Sequence, residues 1–200
     1  MTAPAGSSAK HQKPKGRGNF AFLRGFLRHP EQVASVVPSS RFLERRLVRF
    51  AEIGAADFIV ELGPGTGGTT QAILDAMRPT ARLLAIELTP EFVEVLRRHP
   101  DPRLTVHLGS AADIRSILAE HESAAPDVVV SGIPFSTMPR ELGRRVISES
   151  YDSLSAGGCF VAYQVRDRVA VLGRQLLGEP EVETELLNVP PMRFYRWRRH

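Results

Sequence analysis

Phe58-Ile-Val-Glu-Leu-Gly-Pro-Gly-Thr-Gly-Gly-Thr-Thr-Gln-Ala72, followed at a distance by Ile86-Glu87-Leu88, decides how this chain folds. A short apolar run, Phe58 to Leu62, is bounded by glycines and has the length and composition of a buried strand. Gly63, Gly65 and Gly67 then alternate, which permits a turn with positive φ and bare backbone. A helical segment over 68–77 follows, then a second apolar strand over 82–88 that carries an acid, Glu87, near its end.

That order of strand, glycine turn, helix and acid-tipped strand is the layout of a site for an adenosine-containing ligand. The helix aims its first N–H groups at whatever sits in the turn. A carboxylate at the second strand end can accept hydrogen bonds from both hydroxyls of a ribose. Gly63, Gly65 and Gly68 also satisfy G-x-G-x-x-G, with Glu87 about twenty residues on, so the glycines by themselves admit a dinucleotide as well. Glu61 separates the choices. An acid two positions before the first glycine would repel a pyrophosphate in a low-dielectric cleft, whereas it suits a ligand with a cationic amino group. With its downstream acid, the run Glu61-Leu-Gly-Pro-Gly-Thr-Gly67 resembles motifs I and II of class I S-adenosylmethionine-dependent methyltransferases, in which the glycine turn packs on the methionine part of the cofactor.

Working outward, short apolar strands are expected at 57–62, 82–88, 103–108, 126–131 and 158–164, alternating with helices near 68–77, 89–98, 110–120, 138–154 and 166–176. Such alternation argues for a parallel sheet covered on both faces. The rhythm then changes: 181–187 and 192–198 read as an antiparallel hairpin around Asn188-Val-Pro-Pro191, added to the sheet edge. The fold class is therefore α/β, a Rossmann-like, mostly parallel seven-stranded sheet with a C-terminal antiparallel hairpin and an N-terminal helical arm. Residues 1–18 read as a disordered basic tail and 19–51 as the arm, leaving 52–200 as the catalytic domain. In the arm, Phe20, Phe22, Leu23, Phe26 and Leu27 share one helical face opposite Arg24 and Arg28, and Ser39 or Ser40 can cap a further helix through Ala51.

Two hundred residues suffice for one such domain with a full core. The net charge of +4 hides an asymmetry: residues 1–50 carry +8, Arg193, Arg196, Arg198 and Arg199 add to the other end, and the middle is acidic. One cysteine, Cys159, in an apolar strand reads as an inert core thiol and fits a reducing compartment. With no run of about eighteen apolar residues and no secretory h-region, a cytoplasmic protein is expected. No G-x-S-x-G elbow is present, and the six histidines show no ligand spacing with one another or with Cys159, so no metal is expected.

Taken together, Ser35-Val-Val-Pro-Ser-Ser-Arg-Phe-Leu43, the glycine motif, Glu87 before Pro90-Glu-Phe92, Gly109-Ser-Ala-Ala-Asp113, Ser131-Gly-Ile-Pro134 and Asn188-Val-Pro-Pro191 resemble the bacterial phospholipid N-methyltransferases, over about residues 20–198. The resemblance implies S-adenosylmethionine as cofactor and a membrane phospholipid amine as acceptor, namely phosphatidylethanolamine on the way to phosphatidylcholine. It implies cofactor contacts from Glu61, Gly63, Gly65, Thr66, Gly67, Thr69, Glu87 and Leu88. Ser110 and Ala111 would face the adenine, with Ser39 and Ser40 closing over the cofactor. Ser131, Gly132 and Ile133 would line the transfer point through their backbone, with Tyr163 as a weak candidate for proton acceptor. Phe20, Phe22, Arg24, Phe26, Arg28 and Arg41 would meet an anionic membrane surface, placing the protein peripherally on the inner face of the cytoplasmic membrane. Two other acceptors stay open: another amino lipid such as ornithine lipid, and an RNA adenine, for which Arg196-Trp197-Arg198 offers a basic aromatic patch. Ser131-Gly-Ile-Pro-Phe135 departs from the Asn/Asp-Pro-Pro-aromatic or Asn-Leu-Pro-Tyr of nucleobase enzymes by lacking the Asn or Asp.

Overall fold

The structure, a computed structural model, describes residues 40–200. The expected tail, the Phe20–Arg28 helix and Ser39 lie outside the described residues. The described chain runs α1 (Arg41–Phe50), β1 (Phe58–Leu62), α2 (Gly68–Ala76), β2 (Arg82–Glu87), α3 (Pro90–Leu96), β3 (Leu104–Leu108), α4 (Ile114–Glu120), β4 (Val128–Ser131), α5 (Arg140–Ser153), β5 (Cys159–Gln164), α6 (Arg168–Leu177), β6 (Glu181–Glu185) and β7 (Met192–Arg198). The seven strands form one sheet in the order β3-β2-β1-β4-β5-β7-β6, parallel except where β7 runs against both β5 and β6.

Strand alternation sorts the core onto two faces. Val60, Leu62, Val129, Phe160, Ala162 and Trp197 pack with α4, α5 and α6. Ile59, Val130, Val161, Met192 and Phe194 pack on the other side with α1 and α2. Strand parity thus sends Glu61 and Tyr163, at the strand ends, toward the α1 and α2 face, and Gln164 toward the opposite one.

Three expectations shift. The helix expected over 110–120 divides into a 3₁₀ turn, Ala111–Asp113, and α4, because the Ser110 hydroxyl accepts from Ala112 N and Asp113 leaves helical geometry (φ −113°, ψ 17°). The first hairpin strand stops at Glu185, whose Oε1 accepts from Leu187 N at 2.9 Å and bends the chain out of the ladder. The third concerns the arm. Its described part belongs to the core: α1 buries Leu43, Leu47 and Phe50, and Phe50 meets Phe194 edge-on with ring centroids 6.2 Å apart. Arg46 fastens α1 to β6 through Glu183 (2.7 Å) and Glu185 (2.8 Å). Arg196 spans to the Phe50 carbonyl at 2.7 Å. No helix among the described residues is long and apolar enough to cross a membrane.

Candidate functional site

The strand order reverses between β1 and β4, and in open α/β sheets such a reversal opens a crevice at the carboxyl ends of the strands. Its two lips are the turn after β1 and the turn after β4, and they touch. A Cβ on Gly63 would come within 2.8 Å of Ile133 Cγ1, and one on Gly132 within 3.3 Å of the Gly63 carbonyl. Gly63, Gly65 and Gly67 all take positive φ (68°, 59° and 90°), which an L side chain would strain. Above Gly65 there is open space, since a Cβ there would meet nothing within 4 Å.

Glu61 lies under this turn, 1% exposed. The turn starts α2 at Gly68, which brings Thr69 and Thr70 back over the strand: their hydroxyls donate to Glu61 Oε1 (2.5 Å) and Oε2 (2.7 Å). Burial pushes the Glu61 carboxyl up to about 7, against the two hydroxyl bonds and with a further push from nearby Glu87. A buried carboxylate whose partners are neutral hydroxyls is costly, and a cationic ligand would relieve that cost.

Glu87 is buried at the end of β2. Its Oε1 accepts from Leu88 N (2.8 Å) and Thr89 N (2.9 Å), and its Oε2 from Gly65 N (3.0 Å). A carboxylate offers about four acceptor positions, so this arrangement leaves room for one further donor. The expectation that Glu87 receives both ribose hydroxyls is therefore narrowed: a second hydroxyl requires Gly65 N–H to let go. Thr89 Oγ1, beside it in the chain, is buried without a partner among the described residues.

The β4 lip is organised by residues from β5. Ile133 packs its side chain on Gly63, and its carbonyl accepts the Nε2 of buried Gln164. Ser131 is fully buried, and its hydroxyl receives Ile133 N at 3.4 Å. Tyr163 lies across Gly132, where an added Cβ would sit 2.5 Å from the phenol oxygen, and donates to Thr69 Oγ1 at 3.3 Å. Burial raises the Tyr163 pKa, with the Glu61 charge adding to the rise, so the phenol stays protonated. A protonated phenol is a poor proton acceptor, and here Tyr163 acts as a donor that ties the second lip to the Glu61 support.

A profile described as methyltransferase domain matches residues 59–158, which contain both lips and both acids. The chain belongs to the methyltransferase domain family. Among curated relatives, the ornithine lipid N-methyltransferase of Singulisphaera acidiphila is 35% identical over 143 residues, covering 70% of this chain and 74% of that protein. The ribosomal RNA small subunit methyltransferase A of Kineococcus radiotolerans is 32% identical over 147 residues, 70% of this chain but 46% of that protein, so the chain spans about half its length. Among solved structures, the N-methyltransferase NodS from Bradyrhizobium japonicum WM9, in complex with S-adenosyl-L-homocysteine, has a TM-score of 0.64 at 15% identity. That match covers 90% of this chain and 98% of NodS, a likeness of fold.

This methyltransferase uses S-adenosylmethionine as its methyl donor. The residues present fit that molecule. Glu61 offers a buried anion for an ammonium, Gly65 an open cradle, and Glu87 with the unpartnered Thr89 hydroxyl a place for sugar hydroxyls.

The structure brings Glu61, Gly63, Gly65, Gly67, Thr69, Glu87, Leu88, Ser131, Gly132, Ile133 and Tyr163 to this crevice through the bonds and contacts above. Thr66 is exposed on the turn. Ser110 spends its hydroxyl capping Ala112, with Ala111 buried behind it. Ser40 caps α1 through Leu43 N and donates to Asn188 Oδ1 at 2.9 Å, so its oxygen supports the hairpin. Arg41 is exposed at the start of α1. Sequence reasoning missed Thr70, Gln164 and Thr89. Gln164 carried a signal, a lone amide ending the apolar run Cys159-Phe-Val-Ala-Tyr-Gln164.

Proposed function

We propose that this methyltransferase places methyl groups on the amino headgroup of a membrane lipid. The observation that carries the reading is the state of Phe135. In the β4 turn of nucleobase enzymes the aromatic residue is free to stack on the base, whereas Phe135 is 0% exposed and packed among Val146, Leu172 and their neighbours. At the lip itself Gly132 and Ile133 are part-exposed, bare backbone and an aliphatic side chain, a lining suited to a small alkylamine. The basic aromatic run Arg196-Trp197-Arg198 is also committed elsewhere. Trp197 is buried and donates to the Gly178 carbonyl (2.9 Å), and both arginines pair with Glu52 and Glu181.

The relative named for ornithine lipid supports the lipid class and widens the acceptor beyond phosphatidylethanolamine. The two lipids share a primary amine close to a membrane surface, and phosphatidylethanolamine converted toward phosphatidylcholine remains the acceptor that the sequence motifs favour. S-adenosylmethionine supplies an electrophilic methyl carbon on a sulfonium. Glu61, held by Thr69 and Thr70, binds the ammonium end of that cofactor, and Glu87 takes a ribose hydroxyl. Gly63 and Gly132 let the two lips meet closely enough to exclude water, and Gln164 and Tyr163 fix the second lip, so rate comes mainly from positioning and desolvation. An incoming ammonium would give up its proton to bulk water on entering, because burial near a second cation lowers its pKa, and the neutral amine would then take the methyl group and leave S-adenosylhomocysteine behind. Mass spectrometry of total lipids from cells lacking and overproducing the protein tests the proposal. A ladder of single-methylene steps on one amino lipid class is expected, and unchanged lipids beside altered RNA methylation would reject it.

A further inference from the structure

The loop between β6 and β7 is built inside out. Leu186, Leu187 and Val189 are 73%, 66% and 85% exposed, whereas the polar residue among them, Asn188, is 1% exposed. Asn188 Oδ1 accepts the Ser40 hydroxyl and its Nδ2 donates to the Pro190 carbonyl, both at 2.9 Å. On the near side, Glu185 receives Leu187 N on Oε1 and Arg46 Nε on Oε2. Polar side chains thus hold the loop from within and set three apolar ones outward. Turn positions ordinarily carry Gly, Pro, Asn, Asp or Ser.

The position of the loop is as informative as its composition. Gln164 pairs with Arg193 and Glu185 with Met192, so the loop leaves the sheet beyond the carboxyl end of β5. At that end Gln164 holds the Ile133 carbonyl, and Tyr163 lies on Gly132. The apolar tip therefore lies on the same rim as the proposed transfer point. Exposed arginines flank it: Arg41 and Arg45 on α1, whose cap Ser40 bonds the loop, and Arg193 at the start of β7. None of the three is ion-paired among the described residues, while neighbouring Arg46 is paired to Glu183 and Glu185.

We propose that Leu186, Leu187 and Val189 form a wedge that inserts into an anionic lipid bilayer beside the active-site mouth, with Arg41, Arg45 and Arg193 on the headgroups. The inference rests on the lipid-amine reading above and deepens it by naming the surface that meets the bilayer. Three side chains are far fewer than the twenty or so residues a side of a stable protein interface. Apolar tips surrounded by cations match instead the interfacial pattern, in which hydrocarbon enters the acyl boundary and cations meet anionic headgroups. The wedge would seat the crevice at headgroup depth, where a lipid amine is found.

The test uses the full chain and vesicles of phosphatidylcholine with or without phosphatidylglycerol. Sedimentation should show binding that needs the anionic lipid. Leu186→Ser combined with Leu187→Ser should weaken it by about tenfold or more, given the transfer energy of two leucines, and Val95→Ser, an exposed apolar site on α3, should not. Both variants should unfold at the wild-type temperature. The indole introduced by Leu187→Trp should shift its emission to the blue when vesicles are added. A double variant that binds within twofold of wild type, or an indole that never leaves water, overturns the wedge. A short-chain amino lipid dispersed as monomers separates this failure from failure of the function. If the double variant methylates it as well as wild type but loses activity on vesicles, both ideas stand. If wild type methylates it and the double variant keeps full activity on vesicles, only the wedge falls. If wild type methylates no amino lipid in either form, the function falls, and sedimentation with indole emission decides the wedge separately.

Discussion

Replacing Glu61 by Gln should make the cofactor-free protein more stable and the enzyme worse, with a pH dependence that identifies the cause. The Glu61 carboxyl ordinarily titrates near 4.5 and is pushed up to about 7 in the fold, first by burial. Between those values the folded chain holds a proton that the unfolded chain has lost, so the stability owed to the neutral acid is complete below about 4.5 and disappears as pH rises through about 7. At roughly 1.36 kcal/mol for each unit of displacement, ionised Glu61 costs the cofactor-free fold about 3 kcal/mol at pH 8. Gln keeps the shape and stays neutral, and the Thr69 and Thr70 hydroxyls can each turn to accept as well as donate. Urea unfolding without cofactor should therefore find the variant ahead of wild type by about 2–3 kcal/mol at pH 8 and by less than about 1 kcal/mol at pH 5. Calorimetry with S-adenosylhomocysteine should find the variant binding about 10- to 100-fold more weakly, the usual value of one hydrogen bond to a charged group. If the stability gap were the same at both pH values, the buried carboxylate would not be the source, and the assignment of Glu61 to the cofactor ammonium would lose its physical basis.

Other outcomes follow from neighbouring contacts. Wild-type affinity for S-adenosylhomocysteine should rise as pH rises through about 7, because only ionised Glu61 pairs with the ammonium, and the rise should vanish in Glu61→Gln. Gly132→Ala drives a methyl group to 2.5 Å from the Tyr163 oxygen; it should cost about 1–3 kcal/mol in stability and most of the methyl-transfer rate. Adding Tyr163→Phe should recover part of both, since removing the oxygen leaves the ring carbon at 3.0 Å as the next contact. Asn188→Ala strands the Ser40 hydroxyl and the Pro190 carbonyl, and chemical denaturation should register a loss of about 1–3 kcal/mol.

The parts of the fold legible in the sequence are those governed by local rules. The glycine turn, the alternating strands and helices, and the closing hairpin each fall within a few residues of their expected bounds, because buried strands and turns carry their own composition. The helix at 110–120 went astray because one serine bonding two residues ahead can divert a helical start into a 3₁₀ turn. The site was legible where chemistry is rare in a strand, as with Glu61 and Glu87. It was less legible where function depends on pairs distant in sequence: Gln164 reaches Ile133 across 31 residues, and Tyr163 reaches Thr69 across 94. The caps made by Ser40 and Ser110 could be read from composition only as one of two roles, since a serine suited to a ligand contact is equally suited to accept a backbone N–H. Arg46 was read only as part of a basic segment, yet its two glutamate partners on β6 fasten α1 to the sheet.

The most direct test of the lipid-amine account is a transfer assay with purified protein and S-adenosylmethionine labelled in its methyl group. Vesicles of phosphatidylethanolamine, vesicles of ornithine lipid and ribosomal RNA would be offered separately. Label should appear in an amino lipid and leave the RNA unmarked. Label in RNA with both lipids blank would contradict the account.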